Sequence, residues 1–296
     1  MFHGWTIYQF FEYETESRIF INFKLKALTQ ILIVELKMSN KSKTGWLANK
    51  HHERSIRALE RQLEYQRKKA EALRGEESKT FMTFWSKSQF KRQMLQKIHP
   101  ITPETRVLEV GSGAHGLIFG FGECVGVGVD PLAVHYKNLF PTWQKNVPTI
   151  AAIGEQLPFA DASFDVVLSD NVIDHAEAPI EIIYELVRVL KPGGLLYFTV
   201  NVHHPFYSFA SDLHGFWNAL GVPLELSAFA DHTVHLTPEK VSKIFNELPL
   251  EILEQKNNVA ETKRNQKQAK MRNFDAGLKK LFYKNALFEL TAIRKN

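Results

Sequence analysis

The sequence predicts a doubly wound α/β domain with a mostly parallel sheet, preceded by an N-terminal helical extension. Three observations predict it. Short apolar runs alternate with amphipathic helical stretches across residues 106–201. Residues 107–116 read Val-Leu-Glu-Val-Gly-Ser-Gly-Ala-His-Gly, an apolar strand broken by glycines where a helix should begin. A second apolar run over 124–129 ends in Asp130, about twenty residues after the first glycine, the spacing at which a carboxylate can grip the hydroxyls of a ribose.

Taken in order, residues 1–37 form an atypical N-terminal segment, aromatic-rich and partly alternating. Met38 opens Met-Ser-Asn-Lys-Ser-Lys, which reads as an ordinary start; residues 1–37 are therefore expected to come from an over-extended start. Residues 38–79 form a charged helical extension. Within it, a helix over 50–73 places Ile56, Leu59, Leu63, Gln66, Ala70 and Leu73 at alternating spacings of three and four, a narrow apolar seam. Such a seam suits packing on its own domain or, alternatively, a homodimer through 50–73. Residues 80–98 carry a second amphipathic helix with Phe81, Phe84, Trp85, Phe90, Met94, Leu95 and Ile98.

The main domain, 80–296, then shows strands near 106–110, 124–129, 149–153, 164–169 and 195–201, and helices near 115–121, 132–139 and 177–190. Thr237-Pro-Glu-Lys opens another helix with an N-cap, a proline at the first position and an early acid. A strand at 250–253 follows, and Met271, Phe274, Leu278 and Leu281 stripe a very basic helix within an insertion at 256–284. Residues 203–236 form a long aromatic and histidine-rich insertion that can serve as a lid.

Composition narrows the class. A chain of 296 residues with 44% hydrophobic residues buries one good core and hardly two. The single cysteine, Cys124, rules out a disulfide scaffold or a cysteine-rich metal cluster and reads as a small buried apolar side chain. No run of uncharged apolar residues reaches the ~18 needed to span a bilayer, and no secretory leader pattern is present, so a cytoplasmic protein is expected. The net charge of +5 is uneven. Residues 39–75 carry ten Lys/Arg against four Asp/Glu, and 256–284 carry nine against two, which leaves −8 for the rest. The core that holds the glycine turn is acidic, and the basicity lies in two flanking elements.

Glycines at a strand-to-helix turn let backbone approach a ligand, and a helix N-terminus offers unpaired N–H donors. Gly111-x-Gly113-x-x-Gly116 also fits a dinucleotide fingerprint, but Glu109, two residues earlier, would repel a diphosphate and suits a cationic ligand. Further on come Glu155-Gln-Leu-Pro-Phe, Ser163-Phe-Asp-Val-Val-Leu-Ser and Leu190-Lys-Pro-Gly-Gly. With these four ordered motifs the chain resembles the class I S-adenosylmethionine-dependent methyltransferases, in their small-molecule, type 11-like branch. The resemblance covers residues 80–256 and the strand at 285–293. It implies a Rossmann-like, seven-stranded sheet whose final strand, 286–292, is antiparallel.

The resemblance implies S-adenosylmethionine as cofactor. Gly111, Ser112 and Gly113 would pass beneath its methionine part, Glu109 would face its ammonium, and Asp130 would accept both ribose hydroxyls. Gly154 and Glu155 would meet the adenine, since Ile153 stands where relatives often carry a side-chain acceptor. Asp170 and Asn171 would border the site after the fourth strand. His115 departs from the usual glycine and could cap the methionine carboxylate or narrow the site.

Methyl transfer from a sulfonium needs alignment, a dry pocket and a base when the nucleophile must lose a proton. His203 and His204, after the fifth strand, are the leading bases, with His175 behind them; histidine titrates near neutral pH. His232 and His235 are expected to face the substrate. Asp231, His232, His235 and His203 could in principle hold a metal, but three-residue spacing on a loop aims them poorly, and no metal is expected. The missing Pro-Pro-aromatic motif after Asp170 disfavours base-amino methylation, and Cys124 lies in the wrong strand for pyrimidine carbon methylation. Nucleic acid is thus disfavoured as a partner, while peripheral membrane contact through the basic helices stays open. The expected function is methylation of a small-molecule acceptor, at oxygen rather than nitrogen. The alternatives are an RNA or protein methyltransferase working through the basic helices, or a non-catalytic binding module.

Overall fold

The computed structural model describes residues 46–144, 147–176, 178–207, 209, 235–268 and 274–296. Residues 1–37, most of the 203–236 insertion, Met271 and His232 lie outside that set. Two helices lead, α1 (Trp46–Ala72) and α2 (Glu77–Gln96). Then come β1 (Arg106–Val110), β2 (Val125–Val129), α3 (Ala133–Leu139), β3 (Thr149–Ile150), β4 (Phe164–Asp170), α4 (Pro179–Val189) and β5 (Leu190–Val202). The chain ends with α5 (Pro238–Asn246), β6 (Leu250–Asn257), α6 (Val259–Gln268), α7 (Phe274–Leu281) and β7 (Ala286–Arg294).

The seven strands form one sheet in the order β3-β2-β1-β4-β5-β7-β6. β1 to β5 pair in parallel, and β7 runs antiparallel to both β5 and β6. The winding reverses between β1 and β4, so the crevice outside their carboxyl ends is the natural ligand site. The strands alternate faces as a period of two requires. Val107, Val166, Leu195 and Tyr197 bury against one side with Leu95 and Phe121. Leu108, Val167, Leu196 and Phe198 bury against the other with α4 and α5 residues such as Ile182 and Phe245.

Local signals explain most boundaries. Thr237 caps α5 by accepting the Lys240 amide at 3.2 Å, with Pro238 in the first turn, as the sequence predicts. Three elements differ from expectation. Residues 115–121 do not form an α-helix; a 3-10 turn spans Leu117–Phe121, because Gly116, Gly120 and Gly122 leave too little helical preference. The third strand is only Thr149–Ile150, not 149–153. The sixth strand runs on to Asn257 instead of ending at 253; α6 and α7 follow, and α7 is the helix that holds Phe274, Leu278 and Leu281.

The α1 seam is spent within the chain. Leu59, Leu63, Ala70 and Leu73 pack with Phe81 and Phe84 against Leu132, Tyr136, Phe140 and Trp143. No helix among the described residues is long and apolar enough to cross a membrane. Cys124 is half-buried in the turn before β2 rather than within the strand.

Candidate functional site

The carboxyl ends of β1, β2 and β4 converge on the glycine turn. Gly111 (φ +75°) and Gly113 (φ +54°) adopt left-handed backbone that a side chain would strain. Between them Ser112 is buried, and its Oγ has no hydrogen-bond partner. The Val172 side chain, from the turn after β4, lies directly over Gly111, where a Cβ would collide with it.

Three carboxylates surround this turn. Glu109 is 1% exposed; its two oxygens accept the amides of Leu117 at 3.0 Å and Ile118 at 2.8 Å, and a Cβ on Gly116 would run into it. Burial pushes its carboxyl up to about 8, against those two amides, with Asp170 and Asp130 adding to the rise. Asp130 accepts the Gly113 amide at 3.0 Å and the Leu132 amide at 2.8 Å. Burial lifts it to about 6, opposed by those amides and by the Tyr136 hydroxyl. Asp170 stands exposed at the end of β4 and accepts from the Thr199 hydroxyl. Beside it Asn171 takes a left-handed φ of 59°, its amide donating to the Thr199 carbonyl at 3.1 Å.

Gly154 and Glu155 sit after β3. A Cβ on Gly154 would press on Ile182 and Val110 at 3.0 Å, so the backbone there lies tight against the core. Glu155 accepts the Ala178 amide at 3.3 Å, at the start of α4. His115 lies inside an aromatic cluster, its ring centroid 3.8 Å from Trp143 and 4.7 Å from both Phe84 and Phe140. Burial, helped by the charge of Lys69, depresses its pKa to about 3, so the ring is neutral. A neutral ring held by aromatics anchors α2 to the glycine turn and offers no cation to a carboxylate.

The histidines after β5 separate by environment. His203 is fully buried; its Nδ1 accepts the Asn285 amide at 3.2 Å, and its ring lies 5.0 Å from that of His235. His204 is half-buried against Phe282 and Tyr283, with Nδ1 accepting the Phe206 amide at 3.2 Å. Burial lowers its pKa, and Lys263 lowers it further. His175 closes a 3-10 turn, Ile173–His175, after β4. In that turn the buried Asp174 accepts from the Asn201 side chain at 3.4 Å. The topology also moves the basic insertion: β6 runs parallel to β5, so α6 and α7 emerge at the carboxyl end of the sheet, where His204 donates its amide to the Tyr283 carbonyl at 3.0 Å. The second basic element therefore borders the ligand end and is no remote flank.

Some residues of this site carry no motif. Val172, Tyr136 and Trp143 reach it through folding alone. Ser88 left one trace, a lone hydroxyl on the helical face that includes Phe84 and Leu95.

Residues 108–198 match the family model described as a methyltransferase domain. An uncharacterized methyltransferase of Mycobacterium sp. strain JLS is 42% identical over 99 residues, 32% of this chain and 38% of that protein. One from Mycobacterium leprae strain TN is 37% identical over 105 residues, 33% and 38% respectively. The chain thus spans well under half the length of the curated relatives it matches. A solved candidate methyltransferase from Bacillus halodurans C-125 superposes with a TM-score of 0.50 at 18% identity, covering 69% of this chain and 98% of its own. A candidate sarcosine dimethylglycine methyltransferase from Galdieria sulphuraria also gives 0.50, at 14% identity, covering 71% and 86%. At these identities the structures share the fold alone.

Proposed function

We propose that this chain is a class I S-adenosylmethionine-dependent methyltransferase and transfers the methyl group of that cofactor to a small-molecule acceptor, at oxygen rather than nitrogen. The observation that carries the reading is the buried acidic lining of the glycine turn. Glu109 and Asp130 are held near 8 and 6 by burial, a state that a cationic ligand relieves and a diphosphate aggravates. Each Glu109 oxygen keeps a second lone pair beyond the amide it already accepts, while Asp130 takes the Tyr136 hydroxyl besides its two amides and keeps room for one further donor. Gly111, Ser112 and Gly113 present backbone and a free hydroxyl to the methionine part, Asp130 the ribose side, and Gly154 and Glu155 the base.

When bound, the cofactor supplies an already activated methyl on a sulfonium, so the chain's own residues contribute alignment and proton handling. Asp170 and Asn171 border the transfer point at the end of β4. His204, kept neutral by burial, is the proposed base for a hydroxyl acceptor; His203 orders the chain beneath it through the Asn285 amide. His175 stands as the second candidate for proton removal.

Calorimetry with S-adenosylhomocysteine tests the cofactor assignment, with a single site and micromolar or tighter binding expected. Acceptors are then screened by thermal shift in the presence of that product, followed by transfer of labelled methyl to each hit. Binding of nicotinamide dinucleotide in place of S-adenosylhomocysteine would overturn the reading.

A further inference from the structure

We infer that Ser88 of α2 is a positioning residue for the cofactor loop, acting through the 3-10 turn Leu117–Phe121. This rests on the cofactor reading above. Ser88 lies mid-helix and is 1% exposed, a costly place for a hydroxyl unless its hydrogen bonds are made. Its Oγ accepts the Gly120 amide at 3.1 Å and donates to the Leu117 carbonyl. A Cβ on Gly120 would collide with that Oγ and with the Ser88 Cβ, so the turn can approach α2 this closely only with glycine at 120. Gln89 adds a bond from Nε2 to the Gly120 carbonyl at 2.7 Å, and Arg92 pairs with Glu123 at 3.3 Å just beyond the turn.

The other end of the same turn is gripped from the site. Glu109 takes the amides of Leu117 and Ile118, and four residues earlier Asp130 takes that of Gly113. A 3-10 turn this rich in glycine has little stability of its own. It is held in place by carboxylates on the ligand side and by α2 behind it. Removing the Ser88 hydroxyl takes away the two bonds that tie the turn to α2 and leaves the Gly120 amide and the Leu117 carbonyl only the weak bond they make to each other within the 3-10 turn. The turn relieves this by shifting, and the shift draws the Leu117 and Ile118 amides away from Glu109. The glycine loop then loses the shape that receives the ligand. The helix that opens the main domain, α2, is on this view a working part of the cofactor site.

The test compares Ser88→Ala with the wild type and with Phe90→Ala, an exposed position on the same helix. Expected for Ser88→Ala are a Kd for S-adenosylhomocysteine weaker by roughly tenfold, a raised KM for S-adenosylmethionine, and an unchanged kcat at saturation. Faster hydrogen exchange at Leu117 and Ile118 should accompany these, with none of the changes in Phe90→Ala. Should Ser88→Ala not fold, Gln89→Leu removes the neighbouring bond and is expected to move Kd in the same direction by a smaller factor. A lowered melting temperature with Kd unchanged would overturn the inference, as would a fall in kcat with KM unchanged. Failure of the wild type itself to bind S-adenosylhomocysteine would instead overturn the cofactor reading.

Discussion

Val172 rests its branched side chain on the α-carbon of Gly111, tying the turn after β4 to the first glycine of the β1 loop. Gly111→Ala should therefore be penalised twice. The left-handed φ costs about 1–2 kcal/mol, and the collision with Val172 about 1–3 kcal/mol. Adding Val172→Ala should recover the second part and leave the first, so the double variant is more stable than the sum of single changes requires. Denaturant unfolding of the four proteins measures this; strict additivity would show that the two residues do not share the contact.

Asp130 links the two glycine-rich segments. Asp130→Ala strips partners from the amides of Gly113 and Leu132, at roughly 1–3 kcal/mol each. It also removes the acceptor proposed for the ribose. Affinity for S-adenosylhomocysteine should drop by about tenfold or more, and an unchanged calorimetric Kd would discard the pocket assignment.

Glu109 predicts proton release on binding. Its carboxyl titrates near 8 in the folded chain against an ordinary value near 4.5. The folded state therefore holds a proton the unfolded state has lost between those values, and stability falls as pH rises through that window. A bound ammonium favours the carboxylate and expels the proton. Calorimetry at pH 7 in buffers of different ionisation enthalpy should report release with S-adenosylmethionine and, since it carries the same ammonium, with S-adenosylhomocysteine. No release with either would argue against Glu109 facing that charge.

His115 predicts acid sensitivity. With its folded pKa depressed to about 3 from 6.5, the unfolded chain binds a proton that the folded chain refuses. Its contribution to stability is full above 6.5 and is lost as pH falls toward 3. His115→Leu should flatten the fall in melting temperature between pH 7 and pH 5. A fall as steep as in the wild type would place the acid-labile group elsewhere.

The paired histidines should part company on substitution. His204→Gln is expected to lower kcat by about 10²–10⁴ with cofactor affinity intact. His203→Leu, which empties a fully buried site and leaves the Asn285 amide without its acceptor, should lower the melting temperature first. Steady-state kinetics beside thermal melts on both variants separates base from scaffold.

Much of the site was legible in the residues themselves because its parts are local. A glycine turn, an acid at the end of the next strand and a capped helix at Thr237 each depend on neighbours within a few positions, where backbone preference acts directly. The same local logic failed at 115–121: the glycines within and beside this apolar stretch weakened the helix, and bonds from Glu109 and α2 set what forms instead.

By itself the sequence determined the doubly wound order of elements, the glycine turn and the acidic character around it, since periodicity and charge are properties of the chain. Tertiary structure alone decided that the α1 seam is spent on its own domain and that the basic insertion stands at the ligand end of the sheet. It also decided that Ser88 faces Gly120 from 32 residues away. The physical reason is that hydrogen bonds and burial between distant residues depend on how the layers stack, which no short window of sequence encodes.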